Sequence, residues 1–340
     1  MSIPAVFYDP RFLEHDTGQH VENRQRVLAA AEAINRSGLE VEWVSPVPAP
    51  EAAVARIHEP AYVGSVRRLA NEGGGWLDWD TAVSPRSYEV ALLAAGAGLG
   101  AVDRALDTGQ RAFLLLRPPG HHAMPTRGMG FCLFNNIAIA AAYAREEKGV
   151  ERVLIVDWDV HHGNGTQAAF VADSAVLFLS SHQAGHYPGT GRAREIGTGA
   201  GTGYTVNVPL QPGDGDGAVR LIFERLVEPL GRAFRPQLIL VSAGYDAQTG
   251  DPLGGLRFSQ SAYQWMAARL TALAEELGAA GPLCFLEGGY RPDVMAQSIV
   301  ATLRGLRGEL PEFAVVPSPD EEADVRETVE EIRPFWRGVL

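Results

Sequence analysis

This sequence is poor in cysteine, in long apolar runs and in positive charge. Its 340 residues include only two cysteines, Cys132 and Cys284, and neither has the nearby cysteine that a metal-binding pair requires. Two cysteines cannot form a disulfide framework. Lys and Arg number 29 against 41 Asp and Glu, so the formal net charge is −12. This balance argues against a protein that binds nucleic acid or anionic membranes through a basic surface, but it is compatible with a cationic substrate.

The apolar content is sufficient for a core but is not arranged for a membrane. No apolar stretch approaches membrane-spanning length, and the N-terminal sequence MSIPAVFYDP lacks the basic flank and the hydrophobic segment of a signal peptide. We therefore expect a soluble, cytoplasmic protein. With 46% hydrophobic and 21% charged residues, the chain can bury a substantial core. Its length fits one large α/β domain as well as two domains.

Apolar runs alternate with helical patterns along most of the chain. The predicted strands are Ala5–Tyr8, Val41–Val44, Ala112–Leu116, Val153–Asp157, Val176–Ser180, Thr205–Val208, Leu238–Ala243 and Leu283–Leu286. The longer predicted helices are Glu22–Ser37, Pro85–Leu106, Asn136–Lys148, Asp216–Phe234, Ser259–Leu277 and Val294–Leu306. This alternation indicates a doubly wound parallel sheet. Beyond Gly308 the chain becomes acidic and proline-rich, with a helix predicted near Ala323–Ile332, and we assign no chemistry to this tail.

The stretch Val153–Gly165, VLIVDWDVHHGNG, is the strongest functional signal in the chain. Its first residues form an apolar run that ends in an acid, as expected for a strand buried on both faces. Asp157, Asp159 and His161 follow at intervals of two, which places their side chains on one face of an extended backbone. Two carboxylates and an imidazole suit a divalent transition metal, zinc above all. The plainer explanation is that the acids cap the following helix, but it leaves the tandem His161-His162 unexplained.

Reactive residues also follow three other predicted buried strands. They are contained in the segments Arg117-Pro118-Pro119-Gly120-His121-His122, Ser242-Ala243-Gly244-Tyr245-Asp246 and Glu287-Gly288-Gly289-Tyr290. Because ligands bind beyond the carboxyl ends of the strands in open parallel sheets, we expect these groups to meet at one edge of the sheet.

A hydrolytic metal site can be assembled from these residues. Such a site needs three protein ligands and one open position for water and substrate. The candidate ligands are Asp159, His161 and Asp246. His121 or His122 could act as the general base, and the Tyr290 hydroxyl could stabilise an oxyanion. Taken singly, Asp246 could be a helix cap, His121 a satisfied core histidine and Tyr290 an aromatic at the core edge. Their joint occurrence favours the metal site.

The chain resembles the histone deacetylase family in seven motifs: RPPGHHA, GFCLFNN, VDWDVHHGNGTQ, PGTG, SAGYDA, GDPLGG and LEGGY. That family shares the arginase–deacetylase fold with the acetylpolyamine amidohydrolases. The resemblance extends from about Asp9 to Gly308 and is greatest to the class II branch, which includes bacterial deacetylases. It implies a single α/β domain over residues 1–308, with a parallel sheet of about eight strands and helices on both faces. Residues 309–340 would form the acidic, proline-containing tail with a short helix.

The resemblance also implies a role for each candidate residue. The zinc ligands would be Asp159, His161 and Asp246. His121 would be hydrogen-bonded to Asp157, whereas His122 would face Asn164 and act as the general base and later as the general acid. Tyr290 matches the tyrosine that stabilises the transition state. The site would therefore be catalytically competent.

Two potassium sites and a substrate tunnel follow from the same resemblance. The inner potassium site would use Asp157, Asp159, His161, Ser180 and Ser181. The second potassium site would use Phe170, Asp173, Val176 and Tyr204. Oxygen ligands of this kind suit a hard, weakly charged cation. The tunnel would be lined by Gly130, Phe131, Tyr187 and Leu253, with Asp80 at its rim. Leucine at position 253, where a polyamine-selective relative has an acid, favours an apolar acyl-lysine stem over a polycation.

The predicted function is hydrolysis of a linear amide C–N bond. We expect a zinc-dependent amidohydrolase that removes acetyl, or other short acyl, groups from lysine-like amides by means of a metal-activated water. Its partner would be an acetylated lysine peptide or protein, or an acetylated amine. An acetylpolyamine amidohydrolase is the nearest alternative, and a binuclear manganese ureohydrolase and a non-catalytic acyl-lysine binder are more distant ones. The sequence leaves open the physiological substrate, the oligomeric state and the choice between zinc and ferrous iron.

Overall fold

The protein is described by a computed structural model that covers residues 3–340. The strands are β1 (Ala5–Phe7), β2 (Glu42–Val44), β3 (Gly75–Trp76), β4 (Ala82–Val83), β5 (Ala112–Leu114), β6 (Val153–Asp157), β7 (Val176–Gln183), β8 (Thr205–Leu210), β9 (Leu238–Ala243) and β10 (Ala280–Leu286). The helices are α1 (Gln25–Arg36), α2 (Glu51–Val54), α3 (Pro60–Asn71), α4 (Ser87–Thr108), α5 (Asn136–Lys148), α6 (Asn164–Phe170), α7 (Asp216–Ile222), α8 (Glu228–Phe234), α9 (Gln260–Leu277), α10 (Pro292–Leu306) and α11 (Pro319–Ile332).

One eight-stranded sheet organises the molecule. Its strand order is β2-β1-β5-β10-β9-β6-β7-β8, and every neighbouring pair is parallel. The short strands β3 and β4 form a separate antiparallel hairpin. These findings confirm the predicted single α/β domain with a parallel sheet. None of the helices within residues 3–340 combines the length and the apolarity that a crossing of a lipid bilayer requires.

The core lies on both faces of the sheet, as the continuous apolar strands predict. On β6, Val153 and Ile155 pack into the cluster that includes α4 and α5, whereas Leu154 and Val156 pack into the cluster beneath α1, α9 and α10. All four side chains are buried, and full burial of an aliphatic side chain contributes about 1.5–3 kcal/mol. The central strands are therefore held firmly, and their carboxyl ends provide a rigid platform.

Two predicted elements differ from the observed ones in an informative way. Strand β7 continues past its predicted end at Ser180 to Gln183, because Ser181 to Gln183 pair with Val208 to Leu210 of β8. The helix predicted as Asp216–Phe234 is instead α7 and α8 joined by a π-helical turn, Phe223–Val227. Pro229 follows this turn and has no backbone N–H to donate, so an undisturbed α-helical ladder is not available there.

The acidic C-terminal segment contains α11, which covers the edge strand β8. The helix begins with a capping box between Ser318 and Glu321 and buries Val325, Thr328 and Ile332. Edge strands expose unpaired backbone groups, and a covering helix is one way in which proteins protect them. Division of the chain near residue 308 remains a prediction.

Candidate active site

The carboxyl ends of four neighbouring strands bring the predicted reactive groups together. Strands β5, β10, β9 and β6 are adjacent in the sheet, and Asp157 at the end of β6 is in register with Ser242 of β9. The segments that follow these strands carry the tandem histidines, the Glu287–Tyr290 turn, Asp246 and the Asp159–His161 pair. Parallel pairing therefore assembles one site from segments that are distant in sequence.

The three predicted metal ligands form one compact, buried group. Each of Asp159, His161 and Asp246 offers a ligand atom, and these atoms lie within 4.8 Å of one another. His161 Nδ1 lies 3.0 Å from Asp159 Oδ1 and 3.2 Å from Asp246 Oδ2. The backbone N–H of Val160 donates to Asp246 Oδ1 at 2.9 Å, and that of Gly288 donates to Asp159 Oδ2 at 2.8 Å. Backbone donors thus orient both carboxylates towards the histidine.

Two glycines leave the space that the carboxylates occupy. A Cβ atom on Gly244 would lie 2.0 Å from Asp159 Oδ2, and a Cβ on Gly288 would lie 1.9 Å from Asp246 Oδ2. Both distances are far below van der Waals contact, so any larger residue would displace an acid. The glycines of the SAGYDA and LEGGY motifs are therefore required by the packing around the two carboxylates.

The electrostatics of this group fit a bound cation. Burial disfavours a charged imidazole, but the hydrogen bond to Asp159 and the negative charges of Asp159 and Asp246 outweigh it and raise the pKa of His161 to about 10. Burial, with the nearby charge of Asp159, raises the pKa of Asp246. Asp246 Oδ2 is buried and makes no hydrogen bond. Two carboxylates with an unsatisfied oxygen and one imidazole are a donor set that a divalent cation satisfies, with release of the histidine proton.

His121 is held between acids in a fixed orientation. Its Nδ1–H donates to Asp157 Oδ2 at 3.0 Å, and its backbone N–H donates to Glu287 Oε2 at 3.1 Å. Burial disfavours the charged ring, but the charges of Asp157, Asp159 and Glu287 outweigh it and raise the pKa of His121 to about 10. The predicted contact between His121 and Asp157 is therefore present, and His121 is the cationic member of the pair.

His122 is the neutral member of the pair and faces Asn164 as predicted. Its ring centroid lies 4.0 Å from that of His121. Burial, followed by the charges of the neighbouring histidines, lowers the pKa of His122 well below its ordinary value. Its Nδ1–H donates to Asn164 Oδ1 at 2.8 Å, and the Asn164 amide nitrogen points to the Met124 sulfur. This tautomer leaves the lone pair on Nε2, so His122 can accept a proton.

A cavity of about 540 Å³ opens directly above these residues. Its lining includes the predicted substrate residues Asp80, Gly130, Phe131, Tyr187 and Leu253, together with His122, His161 and Tyr290. The Phe131 ring stands edge-on to Tyr290 at 5.6 Å, and the Tyr187 ring stands edge-on to His122 at 5.0 Å. Aromatic walls leading to a polar floor are suited to an apolar stem that ends in a polar group.

The wall at Gly130-Phe131 has a constrained backbone. Gly130 has φ +57°, and a Cβ there would lie 2.4 Å from His122 Cδ2. Phe131 is a non-glycine residue at φ +70°, a conformation that costs energy and that persists where the surroundings impose it. Its backbone N–H donates to Thr81 Oγ1 at 3.1 Å, and the Thr81 hydroxyl donates to Asp80 Oδ1 at 3.0 Å. These bonds connect the predicted rim acid to the tunnel wall.

Tyr290 stands on a turn supported by a buried arginine. Arg26 donates from Nε to the Gly289 carbonyl at 2.7 Å and from Nη2 to the Glu287 carbonyl at 2.5 Å, and its guanidinium lies 5.0 Å from the centre of the Tyr290 ring. Burial raises the pKa of Tyr290 well above its ordinary value. The hydroxyl therefore keeps its proton and can donate a hydrogen bond.

The structure brings Asp157, Ser180 and Ser181 of the inner potassium prediction together. Ser180 is in register with Asp157, and Ser181 Oγ lies 3.5 Å from the Asp157 carbonyl oxygen. In the second set, the Asp173 backbone N–H donates to the carbonyl of Phe170 at 2.9 Å, and the Tyr204 carbonyl accepts from the backbone of β7. Neither arrangement tests for an ion, and both potassium sites remain predictions.

Sequence reasoning assigned no role to several residues that support the site, although it placed one of them, Glu287, in a reactive segment. Glu287 accepts backbone hydrogen bonds from Gly120 and His121, and burial raises its pKa to about 7. Its position directly after a buried strand was a usable signal. The sequence carried no comparable signal for Arg26, which lies on α1, or for Trp79, which is 80% exposed and lines the mouth of the cavity.

Comparison with known proteins agrees with this fold. The family model for the histone deacetylase domain matches residues 20–306. The chain is 39% identical over 315 residues to "Histone deacetylase 10, chloroplastic" of Oryza sativa subsp. japonica, covering 87% of this chain and 71% of the relative. It is 38% identical over 293 residues to the "Histone deacetylase-like amidohydrolase" of Pseudomonas aeruginosa, and the match covers 85% of this chain and 77% of the relative.

Similarity extends to a human protein and to a solved structure. The human "Polyamine deacetylase HDAC10" is 36% identical over 350 residues, covering 97% of this chain and 51% of that protein. The crystal structure of the HDA15 HD domain superposes with a TM-score of 0.93 at 35% identity, covering 99% of this chain and 96% of that one. The fold and the site define an amide-bond hydrolase of the arginase–deacetylase type. The chain belongs to the histone deacetylase family, as its motifs predicted.

Proposed function

We propose that this protein is a zinc-dependent deacetylase that removes acetyl, or other short acyl, groups from lysine-like amides. One observation carries the proposal: Asp159, His161 and Asp246 converge beside the neutral His122 at the floor of an aromatic-walled cavity. A divalent ion bound there would face both the general base and the substrate. Within residues 3–340 this is the one such group of three ligands found, which favours a single ion over a binuclear manganese site.

Zinc suits the two carboxylates and one imidazole, and the buried Asp246 Oδ2, which accepts no hydrogen bond, supports a metal at this position. Zinc in such a site supplies Lewis acidity, which polarises a carbonyl and makes water more acidic. The protein's own groups do the remainder. His122 Nε2 accepts a proton from the attacking water and later returns it to the leaving amine. His121, whose ring is held by Asp157, would remain protonated and so place a positive charge beside His122.

Tyr290 provides the second electrophilic group of the proposal. Tyr290 lines the cavity and its hydroxyl keeps its proton, so it can donate a hydrogen bond to the carbonyl oxygen as negative charge develops there. The Gly130-Phe131 wall and Tyr187 would confine the acyl-bearing stem and exclude water. Asp80 at the rim would accept a hydrogen bond from the substrate backbone.

The closest competing function is hydrolysis of acetylated polyamines, since one relative is named a polyamine deacetylase. Leu253 in the cavity wall argues for lysine-like substrates, because an apolar side chain offers no counter-charge to a second amine. Rates should be measured side by side on an acetyl-lysine peptide and on acetylputrescine, with the zinc and iron content of the protein assayed. A higher kcat/KM on acetylputrescine would reverse the preference.

The central experiment is Tyr290→Phe. Loss of an oxyanion donor typically lowers kcat about 100- to 1000-fold, and we expect this loss with normal folding and metal content. Tyr143→Phe is the matched control, because the Tyr143 hydroxyl binds Asp103 on the helical surface away from the cavity. Full activity of the Tyr290 variant would refute its role, and an inactive wild type loaded with zinc would refute the deacetylase itself.

We also propose that potassium binds at the inner set that includes Asp157, Ser180 and Ser181. Carboxylate, hydroxyl and carbonyl oxygens are the ligands that such a cation prefers. Replacing potassium by a bulky organic cation should lower activity or thermal stability. Identical behaviour in both buffers would contradict the proposal.

A further inference from the structure

A single buried carboxylate joins the two segments that form the reactive end of the cavity. Asp251 Oδ2 accepts the backbone N–H of Tyr290 at 2.7 Å, and Asp251 Oδ1 accepts the backbone N–H of Leu253 at 2.9 Å. Asp251 is 8% exposed. The first bond holds the turn that carries the proposed oxyanion donor, and the second holds the loop that forms the apolar wall.

The turn that carries Tyr290 depends on such external anchors. It contains Gly288 and Gly289, and Gly289 has φ +119°, a conformation that other residues rarely adopt. Consecutive glycines leave the backbone many alternatives. Arg26 binds carbonyl oxygens on one side of this turn, whereas Asp251 binds the amide of Tyr290 itself. Of these two anchors, the Asp251 carboxylate is therefore the one that binds the residue carrying the proposed oxyanion donor, Tyr290.

The chemistry of the contact requires an acid. Both partners of Asp251 are backbone N–H donors, so both of its oxygens must accept. An ionised carboxylate has two acceptor oxygens, whereas an asparagine amide offers one acceptor oxygen and an NH2 group that can only donate. Burial makes this charge costly and, with the charge of Asp246, raises the pKa of Asp251 to about 7. A side chain that only filled space would avoid this cost.

We propose that Asp251 is a positioning residue that fixes the Tyr290 hydroxyl against the reacting carbonyl and sets the Leu253 wall at the same time. This inference rests on the proposed deacetylase function for its kinetic consequence. Because one carboxylate serves both segments, a disturbance at the tunnel wall changes the alignment of the oxyanion donor.

The test is a double-mutant cycle with Asp251→Asn and Tyr290→Phe. A misplacement of about 1 Å can cost on the order of 100-fold in rate, so we expect Asp251→Asn to lower kcat about 10- to 100-fold with a much smaller change in KM. If Asp251 acts through the Tyr290 hydroxyl, the double variant will be no slower than Tyr290→Phe alone. Independent, multiplicative losses would overturn the proposal, as would an unchanged kcat in Asp251→Asn.

Hydrogen exchange provides a readout that does not depend on activity. Loss of the shared acceptor should accelerate amide exchange in both segments, residues 252–255 and 287–291, without affecting the sheet. Unchanged exchange in either segment would refute the shared anchor. If wild-type protein hydrolyses no acylated amine, the deacetylase proposal fails while the exchange measurement still decides whether Asp251 joins the two segments.

The controls separate positioning from general damage. Asp216→Asn is the matched variant. The Asp216 carboxylate also accepts a backbone N–H, that of Ser259 at 2.8 Å, but Asp216 is not among the residues that line the cavity. We expect it to retain kcat. Asp251→Glu keeps two acceptor oxygens and should recover part of the activity that asparagine loses. If Asp251→Asn does not fold, the glutamate variant carries the same cycle, and its kcat should fall less than 10-fold.

Discussion

Gly288→Ala should destroy the metal site while leaving the fold largely intact. The added Cβ would lie 1.9 Å from Asp246 Oδ2 and 2.6 Å from Asp159 Oδ2. Ordinary contact begins near 3.4 Å, so the Asp246 oxygen must move by roughly 1.5 Å, whereas metal ligands have to be placed within about 0.5 Å. Even the loss of a residue that only hydrogen-bonds to a metal ligand typically lowers metal affinity about 10- to 100-fold. With two ligands displaced, we expect a loss of zinc affinity of at least about 100-fold.

Metal affinity can be measured directly by titrating metal-free protein with zinc in the presence of a competing chelator. Thermal unfolding of the same samples reports whether the fold survives. The matched control is Gly64→Ala on α3, where a Cβ meets nothing within 4 Å. Alanine is favoured over glycine inside a helix by about 1 kcal/mol, so this variant should bind zinc normally and be slightly more stable. Wild-type zinc affinity in Gly288→Ala would refute the assignment of Asp159 and Asp246 as joint ligands.

Two further predictions concern stability. Glu22 is buried between Arg26 and Arg117, with contacts of 3.0 and 2.6 Å. Because Glu22→Gln leaves both cations without their counter-charge, urea unfolding should show that the free energy of unfolding falls by about 3–5 kcal/mol. A fall below about 1 kcal/mol would contradict the ion-pair reasoning. His58 Nε2 accepts the backbone N–H of Asn135 at 2.8 Å, and burial lowers its pKa to about 4 from 6.5. Between these values the unfolded chain binds a proton that the folded chain does not, so stability from His58 is complete above pH 6.5 and is lost as the pH falls towards 4. The free energy of unfolding of wild type should therefore exceed that of His58→Gln by an amount that shrinks by about 1.4 kcal/mol per pH unit in that range. If this difference between the two proteins stayed constant from pH 7 to 4.5, His58 would not be the source of the pH dependence.

The local sequence pattern was sufficient to predict an element wherever the residues of that segment decide its structure. The strand Val153–Asp157 and the helix Asn136–Lys148 were predicted with their observed bounds. Continuous apolar runs specify strands buried on both faces, and a run rich in alanine and other good helix formers favours a helix. The contact of His121 with Asp157 and that of His122 with Asn164 were also anticipated, because the family motifs carry both partners.

Features that depend on neighbours from elsewhere in the chain could not be predicted this way. Strand β7 continues through Ser181 and His182 because β8 pairs with them, although their polarity is typical of a loop. The strand order itself places β10 and β9 beside β6, and no local signal encodes that order. Tertiary pairing overrides local propensity in such cases.

The sequence by itself determined the fold class, the family and the set of groups that could form a metal site. The fold class follows from the alternation of apolar runs and helical patterns along the chain, and each reactive group stands in a short motif directly after a predicted strand. Only the tertiary structure decided how those groups are supported. Asp251 reaches Tyr290, and Glu22 reaches Arg117, across wide gaps in the sequence. A buried charge is stabilised by whichever partners folding places around it. The alignment of the reactive groups is therefore a property of contacts between elements, which no single stretch of the chain records.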